Sequence, residues 1–189
     1  MATLVFRKCL TDETVTEFLF HFLSGSLWAM LTVLVNVRPI PLRRGAPIGA
    51  VAAIGAQLAM IGTGLPSDTS HGGIWLIVGT VLLFGGLVFA LVSVSVLGRC
   101  FGVLPDVRGL VTRGPYRFVR HPLYLGELTA SLGMVVGSDG RLLPAASLAV
   151  CALCQLVRTH YEEQALRAEF PDEYGSYAAR TKRLIPGVV

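Results

Sequence analysis

Arg113-Gly114-Pro115-Tyr116-Arg117-Phe118-Val119-Arg120-His121-Pro122-Leu123-Tyr124-Leu125-Gly126-Glu127 is a short polar run set between strongly apolar segments. With Arg108 just upstream, it gathers four arginines, one histidine and two tyrosines. Polar groups between membrane spans are costly to keep unless they face water or a site. Together with Arg158-Thr159-His160-Tyr161-Glu162-Glu163 further on, the run reads as one polar cavity at a membrane face.

The rest of the chain supports a membrane setting. Of its 189 residues, 53% are hydrophobic and only 15% are charged, against about a quarter charged in ordinary soluble domains. Mean hydropathy is +0.64. Net charge is +4. The arginines sit beside apolar segments, so the positive-inside rule accounts for the basic balance and a nucleic-acid partner is not expected.

Phe18 to Val37 is an apolar run long enough to cross a bilayer. Acidic residues precede it and arginines follow it, so a retained span is expected rather than a signal peptide. His21 reads as interfacial, and Ser24-Gly25-Ser26 as a close-packing cluster. Two prolines keep the basic turn Arg38–Arg44 out of helix. Ala46 to Leu65 is a second span, and Ile74 to Leu97 a third that carries no charge. Residues 98–121 form a long polar connection. Leu123 to Gly137 and Leu142 to Val157 are shorter, about 24 Å as helices against a hydrocarbon core of about 30 Å. They are expected either to borrow length from their flanks or to form a partly re-entrant hairpin. The second of them is expected to run on as helix to about Ala168. The expected fold is all-α: a polytopic bundle of about five transmembrane helices forming one membrane domain over 1–189. Three spans fill 1–97, and a core with a helical hairpin and tail fills 98–189.

Loop charge orients this bundle. The 38–44 turn has three Lys or Arg, the 98–121 connection five, the 65–73 loop none and the 138–141 turn one. The tail adds Arg167, Arg180, Lys182 and Arg183. The N-terminus is therefore expected outside, with the C-terminus, both basic loops and the pocket cytosolic.

Within the polar run, Pro122 suits the first turn of a helix and places His121 at or just before its N-cap. That helix start, flanked by Arg120 and His121, fits a carboxylate or phosphate. The plain alternative is that these arginines only mark the cytosolic edge. Arg158 and Glu162 are four apart and share a helix face. Glu162 and Glu163 suit ribose hydroxyls or an ammonium, and Arg158 suits an anion; a solvated salt bridge is the alternative. Glu127 lies inside the fourth apolar run. It either lines an acceptor path or pairs with a cytosolic arginine. Cys151 and Cys154 have metal-pair spacing but lie in an apolar run with no second pair, so they read as core and no metal is expected. No G-x-G-x-x-G turn follows a strand, so no Rossmann-type site is expected.

Taken in order, Gly114-Pro115-Tyr116, Arg120-His121-Pro122-x-Tyr124-x-Gly126, a helical hairpin, Arg158-x-x-x-Glu162-Glu163, Phe170-Pro171-Asp172-Glu173-Tyr174-x-x-Tyr177 and Ile185-Pro186 resemble the isoprenylcysteine carboxyl methyltransferase and phospholipid methyltransferase families. The resemblance covers about residues 98–187. It implies S-adenosylmethionine as methyl donor, held between the polar connection and the tail. Leu110 and Val111 would line the adenine, with Gly114 and Tyr116 in the same loop. His121 and Tyr124 would hold the methionine end, with Arg120 beside them. Glu162 and Glu163 match the family's acidic pair, and Arg158 would sit near the acceptor, making Arg158 and Glu162 the catalytic candidates. Pro171 stands where the family has glycine in Phe-Gly-x-x-Tyr, so a different turn is expected there. The acceptor implied is lipophilic: a prenylated cysteine, a lipid amine or a hydrophobic thiol. Two rivals remain: an NADPH-dependent membrane reductase of the sterol-reductase type, and a non-enzymatic scaffold or transporter.

Overall fold

The computed structural model describes residues 13–37, 39–63, 74–102, 104, 106–137 and 142–185. Cys9, Arg38, the 65–73 loop, the 138–141 turn, Pro186 and the side chains of His21 and Ser24 lie outside the described residues. Among those described, the regular elements are all helical: α1 (Glu13–Val37), α2 (Pro47–Thr63), α3 (Ile74–Leu97), α4 (Pro122–Gly137), α5 (Leu142–Glu169) and α6 (Pro171–Arg180). Single 3₁₀ turns occupy Gly98–Cys100 and Gly114–Arg117.

Local chemistry explains the helix ends. Gly98 takes φ +54 directly after α3, the left-handed conformation that glycine adopts at a helix stop without a Cβ penalty. Prolines open α2, α4 and α6, where a missing N–H costs no helical bond. At Pro171, the proline is the first residue of α6, and Phe170 and Tyr174 continue the backbone bonding across the joint at 2.8 and 2.9 Å. α5 runs through the polar segment as one helix, as its sequence predicts.

Two helix pairs carry the packing, α3 with α4 and α2 with α5, while α1 leans on α3. Gly79 and Gly86 of α3 meet Gly133 and Gly126 of α4. A Cβ on Gly86 would lie 2.6 Å from the Gly126 carbonyl oxygen, and one on Gly79 would lie 2.7 Å from that of Gly133. Backbones this close need small residues, the usual solution where lipid gives helices no hydrophobic reason to associate. α2 presents buried Ala52, Ala53 and Ala56 toward α5, and Gly55 sits against the Cys154 sulfur. Cys151 is fully buried and unbridged, so this cysteine is core.

Outer faces are apolar. Val51, Ile54 and Leu58 on α2, Val81, Val88 and Val92 on α3, and Val150 and Leu153 on α5 are all exposed. Their spacing places each set on one helix face. A belt of this kind suits a surface that contacts lipid or another protein. Among the described residues, two helical segments are long and apolar enough to cross a membrane, Ile74–Cys100 and Leu142–Glu169. Of the other three expected spans, α2 and α4 have 17 and 16 residues, and α1 contributes the apolar stretch Gly25–Val37.

On the polar side, the loops knit together. Leu42 N–H donates to Val107 O at 2.8 Å and Val107 N–H to Arg43 O at 2.9 Å. Arg108 Nε donates to Pro39 O at 3.2 Å. The basic turn after α1 is therefore pinned to the long connection. The tail after α6 is pinned as well: Arg120 and His121 donate backbone N–H bonds to Lys182 O and Arg183 O at 2.8 and 3.0 Å. Leu184 then enters the apolar cluster formed by Leu27, Leu87, Val94, Phe101 and Leu123.

Candidate active site

His121 is the residue before α4, and its carbonyl accepts the first helical bond, from Leu125. Three residues on, Tyr124 stacks its ring on the His121 ring, with centroids 5.6 Å apart. From α5, one turn delivers Arg158 and Glu162 against this pair. Tyr124 donates its hydroxyl to Glu162 Oε1 at 2.6 Å, and Arg158 Nε donates to the same oxygen at 3.1 Å. The Arg158 guanidinium carbon lies 4.5 Å from the centre of the Tyr124 ring, and its Nη2 donates to Gly102 O at 3.2 Å. The Arg158 side chain is 3% exposed, so this is a desolvated pair and not a surface salt bridge.

Glu163 faces the other way. Its carboxylate accepts from Arg120 Nε at 2.8 Å and from Arg183 Nε and Nη2 at 3.2 and 3.0 Å, and lies 3.3 Å from His121 Nε2. Arg120 Nη1 also donates to the carbonyls of Ala178 and Thr181. The hydrogen bond to Glu163 holds the Arg183 guanidinium pKa above its usual value. Glu163 thus ties the start of α4 to the tail. Tyr177 adds a second tie, donating its hydroxyl to Tyr116 O at 2.6 Å. Burial pushes this phenol up to about 12, so it stays a donor across physiological pH.

These ties enclose a cavity between the connection, the start of α4, the polar end of α5 and α6. Leu110, Val111, Tyr116, Arg120, His121, Tyr124 and Glu162 all line it. Its empty volume, mouth included, is about 750 Å³, in the range of small-molecule sites. Gly114 and Glu163 are not on its wall. Gly114 holds the loop in a φ +58 turn with Val96 packed against it; Glu163 is spent on the tail. Arg113 and Arg117 point to solvent, and Arg117 lies over the Phe118 ring. Glu127 is buried on α4, accepts from Gln155 Nε2 at 2.8 Å, and lines a second cavity together with Arg158.

Sequence reasoning counted Arg108 with the polar run but gave it no role, and it missed Arg183 and Gln155 at the site. Arg108 and Tyr174 line the first cavity, and Arg108 Nη1 and the Tyr174 hydroxyl are buried without a hydrogen-bond partner. Gln155 had a readable signal: it is an amide inside an apolar run. Arg183 had none, because only the returning tail brings it to Glu163. Among the described residues, no His, Cys, Asp and Glu group is arranged to hold a metal.

A helical chain with apolar outer faces, whose loop, helix start and tail close over a cavity, fits the class of membrane-associated enzymes. The phospholipid methyltransferase family profile matches residues 74–173, and the chain belongs to that family. It is 42% identical over 71 residues to Methanethiol S-methyltransferase 1 of Bradyrhizobium diazoefficiens, covering 38% of this chain and 24% of that protein. It is 33% identical over 114 residues to a probable protein-S-isoprenylcysteine O-methyltransferase of Oryza sativa subsp. indica, covering 58% and 60%. It is also 33% identical over 100 residues to the cobalt-zinc-cadmium resistance protein CzcN of Cupriavidus metallidurans, covering 50% and 45%. The chain spans less than two thirds of the length of each of these relatives.

Proposed function

We propose that the chain is an S-adenosylmethionine-dependent methyltransferase acting on a lipophilic acceptor that reaches the site from the membrane. The observation that carries this reading is the match between the first cavity's wall and the donor's groups. Glu162 suits an ammonium. Arg108 Nη1 and the Tyr174 hydroxyl, buried and unpartnered, suit a carboxylate and a ribose hydroxyl. Leu110 and Val111 suit an adenine. S-Adenosylmethionine supplies a methyl group made electrophilic by a sulfonium. The chain's own work is to bind, align and exclude water, which is most of what such a displacement needs. Arg158 and Glu162, locked through Tyr124, hold the floor against which donor and acceptor meet. The relatives named as thiol and isoprenylcysteine methyltransferases support the same class of acceptor, and nothing in the site favours the reductase or scaffold readings.

Calorimetry on the detergent-solubilised protein tests this directly. It should show binding of S-adenosylmethionine and none of NADPH; the reverse result would replace the reading by the reductase one. Glu162→Gln and His121→Ala should each weaken donor binding about tenfold or more, the worth of a buried charged hydrogen bond of about 1.5–3 kcal/mol. Unchanged donor affinity in both variants refutes their placement.

The same reading makes residues 1–189 one membrane domain of five spans with the N-terminus outside and the pocket cytosolic. Loop charge and the exposed apolar belt support it. Cysteine probes placed in the 98–121 connection should react only from the cytosolic side. Labelling from outside would invert the topology.

A further inference from the structure

The second cavity opens between α1, α2, α4 and α5. Leu31, Val35, Phe101 and Leu123 make it largely apolar, and Glu127 and Arg158 are the charged groups on its wall. Leu123 and Tyr124 line both cavities, so the two are adjacent and share this wall. Arg158 is matched by Glu162 at 3.1 Å. Glu127 acts on the same guanidinium, so two carboxylates face one cation and the surplus charge at the second cavity is negative. The Glu127 carboxylate accepts from the Gln155 amide nitrogen, and among the described residues the fully buried Gln155 Oε1 has no hydrogen-bond partner.

We propose that Glu127 is the proton acceptor of this second subsite and selects an uncharged lipophilic thiol over a carboxylate as methyl acceptor. This rests on the methyl-transfer reading above. A carboxylate entering here meets a like charge in apolar surroundings, which is unfavourable. An alkylammonium must shed its hydration on entry, and it has no lone pair until it loses a proton. A thiol enters neutral. Its sulfur then forms a bond to the methyl carbon, the bond from that carbon to the donor sulfur breaks with its electron pair going to the donor sulfur, and the S–H proton passes to the Glu127 carboxylate. The products are a methyl thioether and S-adenosylhomocysteine, with protonated Glu127. Gln155 serves both states of the acid. Its NH₂ donates to the carboxylate, and the amide turned over presents Oε1 to the protonated form, which gives the unpartnered oxygen a use.

The test uses the full chain in detergent with S-adenosylmethionine and four acceptors: an alkanethiol, an aromatic thiol already ionised at neutral pH, an alkylamine and an S-prenylated cysteine. The wild-type protein should methylate the alkanethiol in preference to the amine and the prenylated carboxylate. Glu127→Gln should lower kcat on the alkanethiol about a hundredfold, the usual worth of a positioned base. It should leave the donor Kd unchanged and keep or raise the rate on the ionised aromatic thiol, which needs no base. An equal loss on both thiols makes Glu127 structural and overturns the proposal, as does a wild-type preference for the amine or the carboxylate. Failure of the wild-type protein to bind S-adenosylmethionine overturns methyl transfer itself, and this inference with it.

Discussion

Glu163→Ala should release the C-terminal tail. In the native protein this carboxylate, 4% exposed at its side chain, is shared by Arg120, Arg183 and His121. Removing one partner of a buried ionic cluster leaves the others desolvated and unpaired, at a cost of about 3–5 kcal/mol. The backbone bonds from Arg120 and His121 to Lys182 and Arg183 lose their support at the same time. Trypsin should then cut at Arg180, Lys182 and Arg183 in the variant under conditions that spare the wild-type chain. Because Tyr174 and Tyr177 line the first cavity, donor binding should fall with the tail's release. A wild-type digestion pattern would mean that Tyr177 and Leu184 hold the tail unaided.

Gly86→Val should be strongly damaging to the helix bundle. The new Cβ would press on the Gly126 carbonyl and the Ala130 backbone, and backbone cannot rotate away as a side chain can. Overpacking costs about 1–3 kcal/mol and occasionally more, and contact with backbone puts this site at the upper end. The neighbouring Gly85 supplies the control: it is exposed, and a Cβ there meets nothing within 4 Å. Thermal unfolding in detergent should therefore show a large drop for Gly86→Val and almost none for Gly85→Val. Equal midpoints would mean that α3 and α4 are not in the intimate contact described. Donor affinity should drop along with stability, because α4 carries His121 and Tyr124.

Glu162 and Glu163 illustrate how adjacent residues of one motif divide. They lie about 100° apart around the helix. One turns into the cavity with Tyr124 and Arg158; the other turns to the tail with Arg120 and Arg183. Composition and order read both as one acidic pair. Only the positions of α4 and the tail separate a cavity wall from a clasp.

The sequence alone determined what depends on local chemistry and on the cost of polarity in lipid. The apolar runs became helices, Pro122 became a helix start, and Tyr116, Arg120, His121 and Tyr124 of the polar run became part of a pocket wall, because each follows from hydrogen bonding and desolvation within a few residues. The continuation of α5 past Val157 was legible for the same reason, since nothing from Arg158 to Ala168 breaks a helix. The tertiary structure decided everything that rests on distant partners. The Arg183–Glu163 tie, the Gln155–Glu127 bond, the pinning of the 38–44 turn to Val107 and the second cavity beside Tyr124 join residues from separate elements. Their existence depends on which helix faces meet, and α3 and α4 meet as they do because opposed glycines let two backbones touch.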